Sequence, residues 1–325
     1  MTFDTNLCYS LLIIFNDNVD FFFSFRAALS IFLFEGITVK RERVTDNVYS
    51  FQSAVYADVT AGAVVGPDWA IIIDSLALPE ESLAIRDFIE QDLQLPVRYI
   101  INTHYHADHT WGNCFFPGST IVSHTLCRQL LDTVGRASLE VTRKGNIAFR
   151  NTKIVLPQLT FSEGNMSIRV GKKTLTLIHF PGHSADNIGV LVEEGKVLFA
   201  ADILMPIPYI VDGDINEMIA SLKRISKMGL ENVVQGHGDI VLRGEVEVSC
   251  MENLAYLSAI RRVVRQASRR KYPMDFLSQA DVESCGKSRV LIGGLAEELH
   301  QRNLYALYEQ LYEEAPAAFE DDFED

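Results

Sequence analysis

Positive charge is scarce in this sequence. Lys and Arg together number 29 against 43 Asp and Glu, a net charge of −14. Such a surface repels phosphate backbones, so nucleic acid is not an expected partner. The one basic run, Arg261, Arg262, Arg265, Arg269, Arg270 and Lys271, fits a solvated helix face. Cysteine is sparse too. The five, at 8, 114, 127, 250 and 285, are scattered, odd in number and without a Cys-x-x-Cys pair. That points to reduced thiols and a cytoplasmic chain. Residues 1–36 are crowded with Phe, Leu and Ile, yet Asp17 and Asp20 interrupt them, and a membrane helix needs ~20 apolar residues in succession. Their first basic residue is Arg26, so they lack the charged opening of a signal peptide. We read them as an atypical apolar extension, outside the functional chain if the real start lies downstream; the alternative is a membrane or partner-binding anchor.

What is present is concentrated. Thr103 to Asn113 reads Thr-His-Tyr-His-Ala-Asp-His-Thr-Trp-Gly-Asn, placing His104, His106, Asp108 and His109 within six residues. Imidazole nitrogen and carboxylate oxygen are common protein ligands of zinc and similar divalent metals. The loop follows Val97–Ile101, an apolar run with the character of a buried strand. In extended backbone His104 and His106 point to the same side, so one metal can take both. If the chain turns helical near Asp108, then Asp108 and His109 face elsewhere and reach a second metal. Further donors follow apolar runs at wide spacing. Lys173–Phe180 leads to His183 in Pro-Gly-His-Ser, Lys196–Ala201 to Asp202, and Asn232–Val234 to His237 in Gln-Gly-His-Gly. Each alone is weak; together they place ligands at the ends of strands, where loops meet at one site.

The pattern His-x-His-x-Asp-His at 104–109, Pro-Gly-His at 181–183, Phe-Ala-Ala-Asp ending at Asp202 and Gly-His-Gly at 236–238 resembles the metallo-β-lactamase superfamily. The resemblance spans roughly residues 44–240 and fills all seven ligand positions of the two-metal form. It implies an α+β fold, a four-layer αββα sandwich with C-terminal helices. It implies that His104, His106 and His183 hold one metal, that Asp108, His109 and His237 hold the other, and that Asp202 bridges them. Zinc is the first candidate, with iron and manganese acceptable to the same donors.

A divalent metal lowers the pKa of bound water to near ~7, so a bridging hydroxide becomes a nucleophile toward a carbonyl at neutral pH. Asp108 is the candidate to orient that hydroxide or carry its proton. The expected activity is dinuclear metal-dependent hydrolysis of a small-molecule ester, thioester, lactone or lactam. An Asp at 202, where one β-lactamase subclass has Cys, resembles glyoxalase II-type thioesterases and acyl-homoserine lactonases. The competing readings are a β-lactamase proper, a mononuclear-iron persulfide dioxygenase on the same scaffold, and a non-catalytic metal-binding interaction protein. Tyr209 is a candidate substrate contact.

The rest of the chain frames the loop. Three segments are expected: the extension 1–36, a metallo-β-lactamase-like domain 37–245, and a C-terminal helical region 246–325 ending in an acidic tail. Residues 44–65 read as strands, Trp69–Ile73 as a buried strand ending in Asp74, and Ser82–Leu93 as a helix started by Pro79. Asp74 takes a supporting role by resemblance, and His124 and His179 are read as structural. The Thr125–Thr133 helix gives way to residues 134–165, where Gly135, Gly145 and Gly164 act as breakers; by resemblance this region covers the pocket. Amphipathic helices are expected over Ile215–Met228, Cys250–Arg270 and Gly294–Glu314, with Tyr305, Tyr308 and Tyr312 packing into the core. A homodimer contact through the last two is one implication of the resemblance.

Overall fold

Two sheets organise the chain, and the computed structural model describes residues 39–313. The extension 1–36 and the acidic tail from Glu320 lie outside the described residues. The first sheet has the order β1 (Val39–Thr45), β2 (Val48–Ser53), β3 (Thr60–Val65), β4 (Ala70–Ile73), β5 (Val97–Ile101), β6 (Thr120–His124), β7 (Leu159–Phe161). Its first four strands pair antiparallel; β4 to β7 pair parallel. The second sheet comprises β8 (Asn165–Val170), β9 (Lys173–His179), β10 (Ile188–Val192), β11 (Val197–Ala201), β12 (Asn232–Gln235) and β13 (Val241–Leu242), adjacent in that order. Its pairs are antiparallel except β11 with β12, which is parallel.

Alternation along the strands assigns each face its task. Val48, Ile71 and Ile73 of the first sheet and Leu175, Leu177, Val190 and Phe199 of the second are buried in one core between the sheets. Residues one step off point outward, toward helices. Tyr49 and Phe51 meet Phe88 edge-on, at ring separations of 5.1 and 5.9 Å, just past α1 (Pro79–Asp87). The short α2 (Ala107–Thr110) carries the His104–His109 loop forward. On the far side, α5 (Ile215–Ile225) lays Arg224 over the Phe180 ring, 4.7 Å from its centroid, and its Ser221 hydroxyl donates to the Pro181 carbonyl. Helix, sheet, sheet, helix is the four-layer sandwich that the family resemblance implied.

Between β6 and β7 in the chain come α3 (Thr125–Leu130) and α4 (Arg136–Gly145), joined by one π turn over Leu131–Gly135. Here the sequence reading fails: Gly135 does not break the helix. It sits in right-handed backbone, and a Cβ there would come 2.7 Å from the Leu131 side chain, so the glycine makes room within a continuing helix. The C-terminal elements are α6 (Val246–Ala267), α7 (Pro273–Leu277), α8 (Leu291–Gly294) and α9 (Ala296–Tyr312). Tyr308 is buried on α9, but Tyr305 is half-buried and Tyr312 exposed, because the buried stripe of α9 passes through Leu304, Leu307 and Tyr308. The basic run on and after α6 faces solvent at Arg262, Arg265, Arg269, Arg270 and Lys271, with Arg261 half-buried. Among the described residues no helix is long and apolar enough to cross a membrane.

Candidate metal centre

Parallel pairing brings the donor-bearing loops together. Ile73 of β4 and Ile101 of β5 are register partners, so Asp74 and the His104–His109 loop leave the sheet side by side. In the second sheet β11 and β12 end together, and Asp202 and His237 follow them. A bridge between Val59 and His237, with Thr60 N–H donating to the Gly236 carbonyl at 2.8 Å, ties the sheets at this end. The loop is pinned from behind by a reciprocal amide pair. Asn102 Nδ2 donates to Asn113 Oδ1 at 3.1 Å, and Asn113 Nδ2 donates back at 2.9 Å.

All seven residues singled out in the sequence are buried and converge here. Donor atoms of His104, His106, His183 and Asp202 lie within 4.8 Å of one another, and so do those of Asp108, His109 and His237. Asp202 reaches both groups: its Oδ2 is 3.3 Å from His183 Nε2 and 3.4 Å from His237 Nε2, and its Oδ1 is 3.2 Å from His109 Nε2. Asp108 Oδ2 stands 3.5 Å from His237 Nε2. Ligands ~2.0–2.1 Å from a tetrahedral ion stand ~3.3 Å apart, so this spacing is that of a coordination shell.

The hydrogen bonds decide what faces inward. His183 Nδ1 is 2.8 Å from the Tyr209 carbonyl and His237 Nδ1 2.8 Å from the Ala57 carbonyl. A carbonyl only accepts, so each ring donates there. His109 Nδ1 lies 2.8 Å from Asp74 Oδ2, and His106 Nε2 lies 2.9 Å from Asp212 Oδ2. Thr103 Oγ1 donates to Asp74, which leaves it to accept from His104 Nδ1 at 3.1 Å. In the neutral rings, every inward nitrogen is then a bare lone pair. Three of them crowd: His106 Nδ1 is 3.0 Å from His104 Nε2 and 2.9 Å from His183 Nε2. Among the described residues, buried His109 Nε2 and Asp202 Oδ1 find no hydrogen-bond partner. Five imidazole lone pairs and two carboxylates aimed at one another repel unless cations lie between them, and the outward partners are those that orient metal-binding histidines. The donor set fits two divalent metals.

Protonation follows the same logic. Burial pushes His104 well below its ordinary range and His183 down to about 4. Burial also works against charge on His109, but Asp202, Asp74 and Asp108 outweigh it and hold His109 well above its ordinary value. Asp202 is likewise opposed by burial, yet His237, His109 and His183 keep its carboxyl well below the carboxylate range. Without metal, the carboxylates draw protons onto His106, His109 and His237 instead.

Two residues of the site escaped the sequence reading. Asp212 follows no strand, and in Val-Asp-Gly-Asp it looks like turn or helix-cap material; nothing local marks it as the partner of His106. Ala57 contributes only a carbonyl. Tyr209, the candidate substrate contact, is buried, and its carbonyl holds His183. His124 caps α3 through Nδ1 and stacks on His179 with ring centroids 4.3 Å apart, as structural residues do. Cys114 is half-buried, its Sγ 3.6 Å from the Trp111 carbonyl.

A family model described as the metallo-beta-lactamase superfamily matches residues 57–237. Among curated proteins, the chain is 23% identical to the beta-lactamase-like protein 2 homolog of Caenorhabditis elegans, over 45% of this chain and 43% of that one. It is 29% identical to the acyl-coenzyme A thioesterase MBLAC2 of Homo sapiens, over 42% of this chain and 54% of that one. The chain thus spans about half the length of these relatives. Among solved structures, the inverting sec-alkylsulfatase Pisa1 from Pseudomonas sp. superposes with a TM-score of 0.66 at 13% identity, over 84% of this chain and 50% of that one. At that identity the likeness is one of fold.

Proposed function

The chain belongs to the metallo-beta-lactamase superfamily, and from that premise we propose that it is a dinuclear metal-dependent hydrolase of small acyl thioesters. The observation that carries the reading is the inward convergence of five imidazole lone pairs on two carboxylates, each ring fixed from behind. Zinc is the ion we assign, with His104, His106 and His183 on one ion, Asp108, His109 and His237 on the other, and Asp202 shared. When bound, the ions supply a hydroxide nucleophile at neutral pH and polarise the substrate carbonyl.

The protein's own residues do the rest. Asp74, Asp212, Ala57 and Tyr209 fix ring orientation, so little reorganisation is needed during reaction. Asp108 faces the cluster with Oδ2 toward His237, and its carboxylate can take up the nucleophile's proton and pass it to the leaving thiolate. Likeness to a protein named acyl-coenzyme A thioesterase supports a thioester over the lactone, lactam and simple ester readings. The described cysteines, 114, 127, 250 and 285, are all free, which supports a reducing compartment, and we place the activity in the cytoplasm.

The test is elemental analysis of protein purified without added metal, beside release of free thiol from short- and long-chain acyl thioesters. We expect about two zinc per chain, thiol release abolished by a chelator, and loss of both in Asp202→Ala and His183→Ala. One iron per chain with oxygen uptake would replace this reading with the dioxygenase, and metal without turnover of any acyl substrate would leave a binding protein.

A further inference from the structure

Resting on the two-metal reading above, we infer that Asn303 of α9 is a positioning residue for one half of the metal site, acting through the loop that follows Asp202.

Residues 203–213 carry two of the groups that orient metal-site rings. The Tyr209 carbonyl receives His183 Nδ1–H, and Asp212 Oδ2 receives His106 Nε2–H and, at 3.1 Å, the Tyr105 hydroxyl. Both rings belong to the group of His104, His106, His183 and Asp202. His109 and His237, of the other group, are held by Asp74 and Ala57, which lie elsewhere in the chain.

The loop contains no regular element between β11 and α5, and several of its backbone groups find partners outside it. The first part leans on the second sheet, where Gly236 N–H donates to the carbonyls of Ala201 and Leu204 at 2.8 and 3.1 Å. The part that matters leans on α9. Asn303 uses its whole amide: Oδ1 accepts from Ile210 N–H at 2.9 Å, and Nδ2 donates to the Pro208 carbonyl at 2.7 Å and to the Tyr256 hydroxyl at 3.1 Å. The residue is fully buried, so these bonds are made without competing water. They flank Tyr209 on both sides. Further along, Gln310 Nε2 donates to the Gly213 carbonyl at 3.3 Å, next to Asp212. One helix face thus grips the loop at 208, 210 and 213.

Asn303 is itself fixed by α6. The Tyr256 hydroxyl also lies 3.0 Å from His300 Nδ1, and the neighbouring Asn253 donates to the Met205 carbonyl at 2.9 Å while accepting from Lys287 Nζ at 2.7 Å. A buried polar network in the C-terminal helices ends on the backbone that aims His183 and His106. Apolar packing would give those helices stability; a satisfied amide network gives the loop a fixed register. Losing Asn303 frees residues 208–213 and the ring partners on them, while Asp202, held by the Gly236 contact, stays in place.

The experiment compares wild type, Asn303→Leu, Asn303→Gln and Asp212→Ala in zinc titrations against a competing chelator, with thermal denaturation of the metal-free proteins alongside. Wild type should show two binding events. Asn303→Leu should weaken one about tenfold or more, leave the other within about twofold, and weaken the same event as Asp212→Ala. Combining Asn303→Leu with Asp212→Ala should cost less than the product of the two single effects. Asn303→Gln, which keeps the donor and acceptor, should recover part of the lost affinity even if its melting temperature matches that of the Leu variant. Equal weakening of both events, or weakening of neither, would overturn the positioning role while leaving the two-metal reading intact. A wild type that binds fewer than two zinc would remove the premise itself.

Discussion

Asp74 Oδ2 serves two histidines at once: it lies 2.8 Å from His109 Nδ1 and 2.7 Å from Thr103 Oγ1, and that hydroxyl is 3.1 Å from His104 Nδ1. Its Oδ1 accepts the Thr103 N–H at 2.8 Å. One buried carboxylate therefore sets the tautomer of a ring in each half of the site. Asp74→Asn keeps the Thr103 N–H acceptor but turns an NH2 toward His109 Nδ1. His109 must then move its proton to Nε2, into the site. We expect zinc affinity to fall about 10–100-fold for the event that involves His109, with a smaller loss at the other. Chelator competition reads this directly, and an unchanged affinity would show that Asp74 does not select the tautomer.

Metal binding should release protons. In the metal-free protein His109, His106 and His237 all sit above their ordinary range; burial opposes this in each case, and the facing carboxylates prevail. Protons on these rings compete with the ion, so apparent affinity rises with pH until the rings are neutral. The folding contribution has the opposite slope. Rings whose folded values are raised stabilise the metal-free fold fully below about pH 6.5, and that stability is lost as pH rises through their folded values. Adding zinc to metal-free protein in weak buffer at pH 7 should acidify the solution, and Asp202→Asn should release fewer protons. A release of none would mean the rings are already neutral.

Away from the candidate metal centre, Glu81 on α1 is buried, accepts the Ser53 hydroxyl at 2.6 Å on Oε1, and finds no partner for Oε2 among the described residues. Burial raises its carboxyl from 4.5 to about 7. A raised folded value means that the native state holds the proton longer than the unfolded chain. The contribution is complete below about pH 4.5 and is lost as pH rises to about 7, amounting to about 3 kcal/mol. Glu81→Gln keeps the Ser53 acceptor and removes the charge. Urea unfolding of both proteins at pH 5 and pH 8.5 should show the variant gaining on wild type by a few kcal/mol at the higher pH. The metal-site histidines titrate equally in both and cancel in the difference. A gap that does not change with pH would exclude the raised carboxyl.

How far the sequence could be read follows from how local each signal is. His104, His106, Asp108 and His109 fall in one turn of chain, and His183, Asp202 and His237 each follow a strand whose apolar run is visible without partners. Residues that offer their own donor side chains at strand ends were therefore legible. The supports were not. Asp212 and His106 are 106 positions apart, and Ile210 and Asn303 are 93 apart. Neither pair carries a periodicity or a motif, because what matters is a backbone carbonyl or one carboxylate placed by tertiary packing. Gly135 misled for a related reason: its lack of a side chain signals a helix break in sequence, whereas here it relieves contact with Leu131.

Gly236 gives the sharpest steric test. Its N–H donates to the carbonyls of Ala201 and Leu204, and its own carbonyl accepts Thr60 N–H, so its backbone joins β11, β12 and β3 where the donors gather. A Cβ built there would lie 1.9 Å from Asp202 Oδ1, 2.7 Å from the Ala201 carbonyl carbon and 2.8 Å from Asp202 N. The carboxylate could swing away, but the backbone atoms cannot yield without parting β11 from β12. Gly236→Ala should therefore displace the one carboxylate that faces both groups, cut metal content at both binding events, and cost about 1–3 kcal/mol of stability from overpacking. Gly229→Ala is the control. Its φ is +64° and nothing among the described residues lies within 4 Å of the added Cβ, so it carries the strain of left-handed backbone, about 1 kcal/mol. Elemental analysis and urea unfolding of the pair separate the effects: Gly229→Ala should keep its full metal complement at reduced stability, and Gly236→Ala should lose metal even under conditions where it is fully folded. A folded Gly236→Ala with both metals in place would mean that Asp202 does not need the position it occupies against this glycine.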